Sequence, residues 1–552
     1  MTAALSRLLP SKTTPLAWAL HEEARQPGTL TLLFQIGQYA ARRRTAASAA
    51  GASRALRTWL DRAAGSTPDV GYALEALCWC HALPRLAAVL PPAARQELLE
   101  HLLRTATEAG QIELEQDPLL HQLLAGELPL TLGCLFAEIP QCRKLGSLAR
   151  RGLSRGLTGL VDREGLPQAK HLDLLRPLLA CWTRCRALGN RLPKACWSRL
   201  AQKRYGRLVR QALRLTRGDG SPVFSQGSAD DRCDELLDAA VRLGGDRQDR
   251  RIAALVLPGR KRSRVKRFRK RSLPPAATHS HRAATSVLRP GWSRSDPRLT
   301  VLFAGQSVEL ELEVGGEVIG SGPWEFEIRR AGRLVEPQSG WHEVGWISDD
   351  AVDYLELEIL LADGLRVQRH IVLAREDGFL FLADAVLGQQ RTRLEYRGWL
   401  PLGRRVSFHP AEESREGFLV GKKRRAVVLP LALPEWRCSA RPGTLAQTGR
   451  GLELCQSAEG HSLFAPLFVD LQPRRITRPL TWRQLTVAGH LAVQPADAAV
   501  GYRVMVGKEQ WLIYRSLTRP ANRTLLGHNL SSETLVARFG RDGEVRALVE
   551  IR

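Results

Sequence analysis

The chain has 552 residues, 44% of them hydrophobic and 25% charged, with a formal net charge of +25. That length exceeds what a single core supports, and that composition excludes a disordered or fibrous chain. The charge is uneven: residues 1–258 carry 36 basic and 24 acidic side chains, residues 259–285 carry ten and none, and the remainder carries 35 and 32. The basic excess therefore sits in the first half and the junction, where it would attract a polyanion such as nucleic acid, an acidic polysaccharide or an anionic membrane face.

In chain order, MTAALSRLLPSKTTPLAWALHEEARQ holds no apolar run long enough for a signal-peptide core, because Lys12, His21, Glu22 and Glu23 interrupt it. No stretch of about 18 uncharged apolar residues occurs, so no membrane span is expected. The expected location is the cytoplasm, or the periplasm or exterior if the start site is misassigned. Eight of the ten cysteines lie in the first half, in helix-like apolar segments such as LEALCWCHAL. Cys78-x-Cys80 and Cys181-x3-Cys185 match no common zinc spacing, so buried reduced thiols are expected, with no metal and no cofactor.

Apolar residues recur at spacings of three and four through residues 1–258, in LEALCWCHALPRLAAVL, RQELLEHLLRTATEAGQIELEQ, DPLLHQLLAGELPLTLGCLF, LDLLRPLLACWTRCRALG and WSRLAQKRYGRLVRQALRLTR. This pattern predicts about ten helices of roughly 12 to 20 residues, closed by the turn cluster GDGSPVFS. After residue 285 the period becomes two, in VELELEV, WEFEIR, VDYLELEILL, LRVQRHIVLA and FLFLADAVL, and it continues to the end between GG, DG, PG and GQ turns. More than fifteen short strands without intervening helices predict antiparallel sheets stacked as a large sandwich. The expected division is a helical domain at 1–258, a basic linker at 259–285 and a β-sandwich at 286–552. GRKRSRVKRFRKR, at the junction, reads as an exposed, self-repelling linker; a nucleic-acid arm ranks below that reading, since no binding module flanks it.

This domain order, together with three stretches, resembles the heparinase II/III-like polysaccharide lyases. DPLLHQLLAGELPLTLGCLF resembles the segment where that family usually shows an Asn-His pair. LRLTRGDGSPVFSQGSADD resembles its last helical turn, and GLRVQRHIVLAREDGFLFLADAVLG its Arg-bearing strand followed by an apolar strand ending in Asp. The resemblance implies an N-terminal (α/α) toroid-like helical domain followed by a C-terminal antiparallel β-sandwich. It also implies a partner that is an acidic or sulfated polysaccharide, with nucleic acid a weaker alternative. The departures are specific. FAGQSVELELEVGGEVIGSGPW and WEFEIRRAGRLVEPQSG lack the histidines the family carries there, His342 comes later, and His121-Gln122 stands in place of Asn-His.

A lyase of this class must neutralise a uronate carboxylate, take the neighbouring proton and protonate the leaving oxygen. His121 and Tyr205 are the candidate base or acid, with His171 behind them, and Gln122 and Arg207 are candidates to hold the carboxylate. Each has a structural alternative: His121 as a satisfied core histidine, Tyr205 as the cap of a hydrophobic layer, His171 as the start of a helix. Residues 174–218 contain no acid and twelve basic residues. On a helix over 197–217, Lys203, Arg207, Arg210, Arg214 and Arg217 would share one face, at steps of four, three, four and three. That stripe would line a groove for an acidic glycan or form a solvated outer face. SDDAVDYLELE and SADDRCDELLD lack calcium-loop spacing. The chain accordingly reads as a heparinase-like protein that acts on or binds an acidic polysaccharide, with a non-catalytic polyanion-binding or scaffold relative as the alternative.

Overall fold

The structure, a computed structural model, describes residues 15–20, 22–41, 46–65, 67–190, 192, 195–225, 233–259, 273–438 and 443–552. The chain forms two compact units, Met1–Leu273 and Pro274–Arg552. The expected linker differs at its C-terminal end. Thr278–Ser280 and Thr285–Leu288 pair as strands, so THSHRAAT belongs to the β unit. The cross-strand register of His279 with Ser286 outweighs the Pro, Ala and Ser composition that suggested a tether. The rest of the basic run, 260–271, lies outside the described residues.

In the first unit the helices are α1 Pro27–Ala41, α2 Ala46–Ala64, α3 Val70–Leu86, α4 Pro92–Glu108, α5 Pro118–His121, α6 Leu128–Leu135, α7 Pro140–Leu160, α8 Leu175–Gly189, α9 Arg199–Arg214, α10 Asp234–Gly244 and α11 Arg247–Val256. A π-helical turn, Gln122–Glu127, joins α5 to α6. Several starts are written locally: Asp69 caps α3, Ser198 caps α9, and Asp246 with Asp249 closes a capping box on α11. No described helix is long and apolar enough to cross a membrane.

The second unit is an antiparallel sandwich of four sheets, the smallest of which, with four short strands, packs through Val487 and Leu525 on Tyr514 and Leu535 of a five-stranded sheet. A five-stranded meander runs Thr278–Ser280, Thr285–Leu288, Arg298–Leu302, Glu309–Val314 and Glu317–Pro323. Its apolar side chains, among them Leu299, Val301 and Leu312, pack on Leu355, Leu357, Ile371 and Leu382 of an eleven-stranded sheet. The opposite face of that sheet presents Tyr354, Val372, Phe379 and Phe381 to Trp482, Tyr502 and Trp511 of a further five-stranded sheet. The central strands are thus buried on both faces, which is why VDYLELEILL and FLFLADAVL read as near-continuous apolar runs. Two strands exceed the expected short length: Phe379–Leu400 and Gly451–Asp470 pair along most of their course, with a register shift between Leu387 and Thr392. The bulge bends the ladder and lets one strand serve two regions of the sheet.

The sandwich core also holds a fully buried ion pair. Arg369 and Asp384 face each other across neighbouring strands and share two hydrogen bonds of 2.8 Å. The guanidinium lies 3.7 Å from the ring centre of Trp324 and 4.6 Å from that of Trp341, and Tyr396 donates to Asp384 at 2.7 Å. These are the Arg and Asp of the two strand motifs noted in the sequence.

Candidate functional site

The segment DPLLHQLLAGELPLTLGCLF builds the most connected polar cluster of the helical unit. Asp117 caps it through Leu120 N, with Pro118 at the first helical position. The π turn that follows lies directly on α7. A Cβ at Gly152 would stand 2.5 Å from the Ala125 carbonyl oxygen, and one at Gly156 would stand 2.1 Å from the Gln122 amide carbon. Gly152 therefore requires glycine, and a side chain at Gly156 would have to displace the Gln122 amide.

Gln122 is sealed in this contact. Its Oε1 accepts from Trp182 Nε1 at 2.8 Å, while its Nε2 reaches His121 Nδ1 at 2.9 Å and donates to the Gly152 carbonyl at 3.2 Å. With its amide fully used by the core, Gln122 has no group left to hold a substrate carboxylate, a correction to the sequence reading. His121 is also buried, but its Nε2 has no hydrogen-bond partner among the described residues. Burial, and then the charge of exposed Arg155, lowers its pKa below the usual imidazole range.

Tyr205 corrects the sequence reading more sharply. Its side chain is in the core, its hydroxyl bonds Thr183 Oγ1 at 3.0 Å, and its ring packs on Trp197. Burial drives the phenol pKa well upward, against the direction a base needs. His171 ends the short 3-10 turn Ala169–His171 and is half-buried; burial, then Lys170, lowers its pKa.

The five-residue stripe does not share one environment. Lys203 and Arg207 are exposed, and Arg207 donates to the Arg163 carbonyl. Arg210 pairs with Asp246 at 2.7 Å and Asp249 at 2.6 Å, so its acidic partners come from α11 rather than from its own helix. Arg214 and Arg217 are buried, the first bonded to Gln211 and the second to the Ser225 carbonyl at 3.0 Å and its hydroxyl at 2.9 Å. Assigning these last two to a solvent groove is corrected: α9 ends at Arg214 and the chain turns inward.

A stronger charge feature spans two helices. α7 carries Arg143, Lys144, Arg150, Arg151 and Arg155, all exposed, and α9 exposes Arg199, Lys203 and Arg207; neither helix contains an Asp or Glu. They lie side by side and parallel, since Ser198 N donates to Ser154 Oγ at 2.9 Å and Arg204 donates to the Val161 carbonyl at 3.1 Å. The sequence reading found the α9 half of this face and missed α7.

Glu127, Cys181 and Cys185 bring three ligand-type atoms within 4.8 Å of one another in the core. Both Glu127 oxygens already bond Arg184, at 2.6 and 2.7 Å. The guanidinium takes the place and the charge a cation would need, and burial raises both thiol pKa values.

In the β unit, His279 Nδ1 meets Ser286 Oγ at 2.8 Å and its Nε2 meets Glu343 at 2.8 Å; exposed His281 reaches the same oxygen at 3.1 Å. His279 stacks on Trp346 at 5.0 Å. The H-x-H spacing of THSH could have flagged this cluster, had the segment not been read as linker. His342, next to Glu343 in the same strand, is exposed and 3.8 Å from Glu358.

No family model matches the sequence, and no curated protein matches it. Solved structures do match. A mutant of the heparan sulfate lyase HepC from Pedobacter heparinus superposes with a TM-score of 0.58 and 12% identity, over 89% of this chain and 82% of that one. A heparinase III gives 0.61 and 10%, over 92% and 84%. A second heparinase III gives 0.60 and 8%, over 93% and 91%. The chain has the heparinase III fold. His121-Gln122 lies at the junction of α5 and the π turn, in the segment the sequence resemblance likens to the family's Asn-His stretch. The strands Glu309–Val314 and Glu317–Pro323 keep the expected hairpin without its histidines.

Proposed function

We propose that this protein binds an acidic polysaccharide through its helical unit. The observation that carries the reading is the face of α7 and α9, with eight exposed basic side chains and no acid on either helix. A solvated helix ordinarily alternates the two signs along its surface. Six of the eight are guanidiniums, which suit carboxylate and sulfate groups because they bind them with paired hydrogen bonds. The lyases sharing the fold support this class of ligand, and the unpartnered Nε2 of His121 supports its role as the group that meets it.

The test is binding to immobilised uronate-containing and sulfated polysaccharides as a function of salt. Arg151→Gln with Lys203→Gln is expected to weaken binding and to lower the salt slope by about one per charge removed. Arg546→Gln, exposed in the β unit, is the control and leaves both unchanged. Equal affinity for DNA and glycan, or no binding, overturns the reading.

A second reading, a relative that binds without cleaving, is favoured by one observation: the Tyr205 hydroxyl is locked in the core. Ultraviolet absorbance of an unsaturated sugar end separates the two. New absorbance that His121→Ala abolishes adds β-elimination to binding, whereas salt-sensitive binding without absorbance identifies the non-cleaving relative.

A further inference from the structure

We infer that Trp182 and Gln122 form a relay that fixes His121 as its Nε2–H tautomer, so that the imidazole offers an anion a hydrogen-bond donor and no lone pair. The argument starts from groups that have only one role. An indole N–H only donates, so the Gln122 atom 2.8 Å from Trp182 Nε1 is the amide oxygen. A carbonyl oxygen only accepts, so the Gln122 atom 3.2 Å from the Gly152 oxygen is the amide nitrogen. Two independent neighbours thus set the same amide orientation. That nitrogen has a second hydrogen, and it points to His121 Nδ1 at 2.9 Å. An amide nitrogen does not accept, so Nδ1 must, and the ring proton resides on Nε2.

Nε2 is the nitrogen left without a partner among the described residues. A ring whose open nitrogen carries the hydrogen cannot take a proton there. It can donate to an oxyanion, and Arg155 on the exposed side of α7 is close enough to act on the ring electrostatically. The ligand matched to this pair is the carboxylate of a uronate, an assignment that rests on the polysaccharide reading above. Gln122 and Trp182 are then positioning residues. Their role also accounts for the glycines of α7: a side chain at Gly156 would push the amide off the imidazole.

The tautomer is measured directly. The full-length protein is labelled with 15N at histidine, and long-range proton–nitrogen correlation distinguishes protonated from bare ring nitrogens; the His121 signals are those missing in His121→Asn. The wild type is expected to show Nε2–H. Gln122→Glu, whose carboxylate can only accept, is expected to move the proton to Nδ1. Gln122→Met, neutral and of similar volume, is expected to release Nδ1 and populate both tautomers, so the relay stays testable if the buried carboxylate unfolds the chain. An Nδ1–H wild type, or an unchanged tautomer in either folded variant, overturns the relay. Titration with a glucuronate-containing oligosaccharide is expected to shift the Nε2–H resonance. A fixed Nε2–H that no uronate moves overturns the ligand assignment and leaves the relay standing.

Discussion

At the scale of single residues, the same side-chain types divide sharply by burial. Tyr205 and His121 were equal candidates in the sequence, because periodicity places both on helices and leaves which face each presents undetermined. Packing then sealed one and left a nitrogen of the other open. Tyr205→Phe is therefore expected to cost about 1 kcal/mol, the worth of one buried hydrogen bond to Thr183, and to leave glycan binding unchanged. Denaturant unfolding and the binding assay check the two halves. The contrast is Arg369, whose guanidinium is held by Asp384 and two indole rings with no access to water. Arg369→Met leaves the buried Asp384 carboxyl with only Tyr396 beside it, and is expected to cost roughly 3–5 kcal/mol. Loss below about 1 kcal/mol in denaturant unfolding would mean the pair contributes little to the sandwich.

At the scale of elements, α7 shows what composition conveys and what it hides. Its glycines, in PQCRKLGSLARRGLSRGLTGL, look like defects in a helix, each costing about 1 kcal/mol against alanine. The structure separates them. A Cβ at Gly146 would meet nothing within 4 Å, whereas one at Gly156 would overlap the Gln122 amide. Gly146→Ala is expected to stabilise by roughly 0.5–1 kcal/mol. Gly156→Ala is expected to destabilise by about 1–3 kcal/mol and to disturb the His121 resonance as well. Thermal melts of the pair decide it, and equal shifts would contradict the close approach. The strands were legible by their period of two, but their ends were not. The bulge that carries Phe379 through to Leu400 has no sequence mark beyond a polar stretch, and the first strand was hidden by a composition ordinarily found in tethers.

At the scale of the whole molecule, the change of period near the junction made the division into a helical and a β unit legible, whereas the charge of each unit's interior emerges only from packing. Among the described residues, six histidines have pKa values lowered by burial, and four of them, His81, His101, His121 and His171, are in the helical unit. His81 is the extreme, lowered to about 3 by burial and then by Arg184. Between about pH 6.5 and that value the unfolded chain binds a proton that the folded unit refuses, so stability falls as pH falls. The slope for His81 alone approaches 1.4 kcal/mol per pH unit. The β unit has an opposing set. Burial raises Asp353, Glu356 and Asp470 despite their hydrogen-bonded partners. A carboxyl whose folded pKa is raised binds a proton more readily folded than unfolded, which adds stability on acidification above the unfolded carboxyl range. Between about pH 6.5 and about pH 4.5 the helical unit is therefore expected to lose stability, whereas in the β unit the raised carboxyls offset part of the loss from His279 and His370. Far-ultraviolet circular dichroism during thermal unfolding follows helix and strand separately: the helical transition should move down in temperature with acid while the strand transition moves less. A strand transition that falls first would show that the histidines of the helical core do not govern its acid stability.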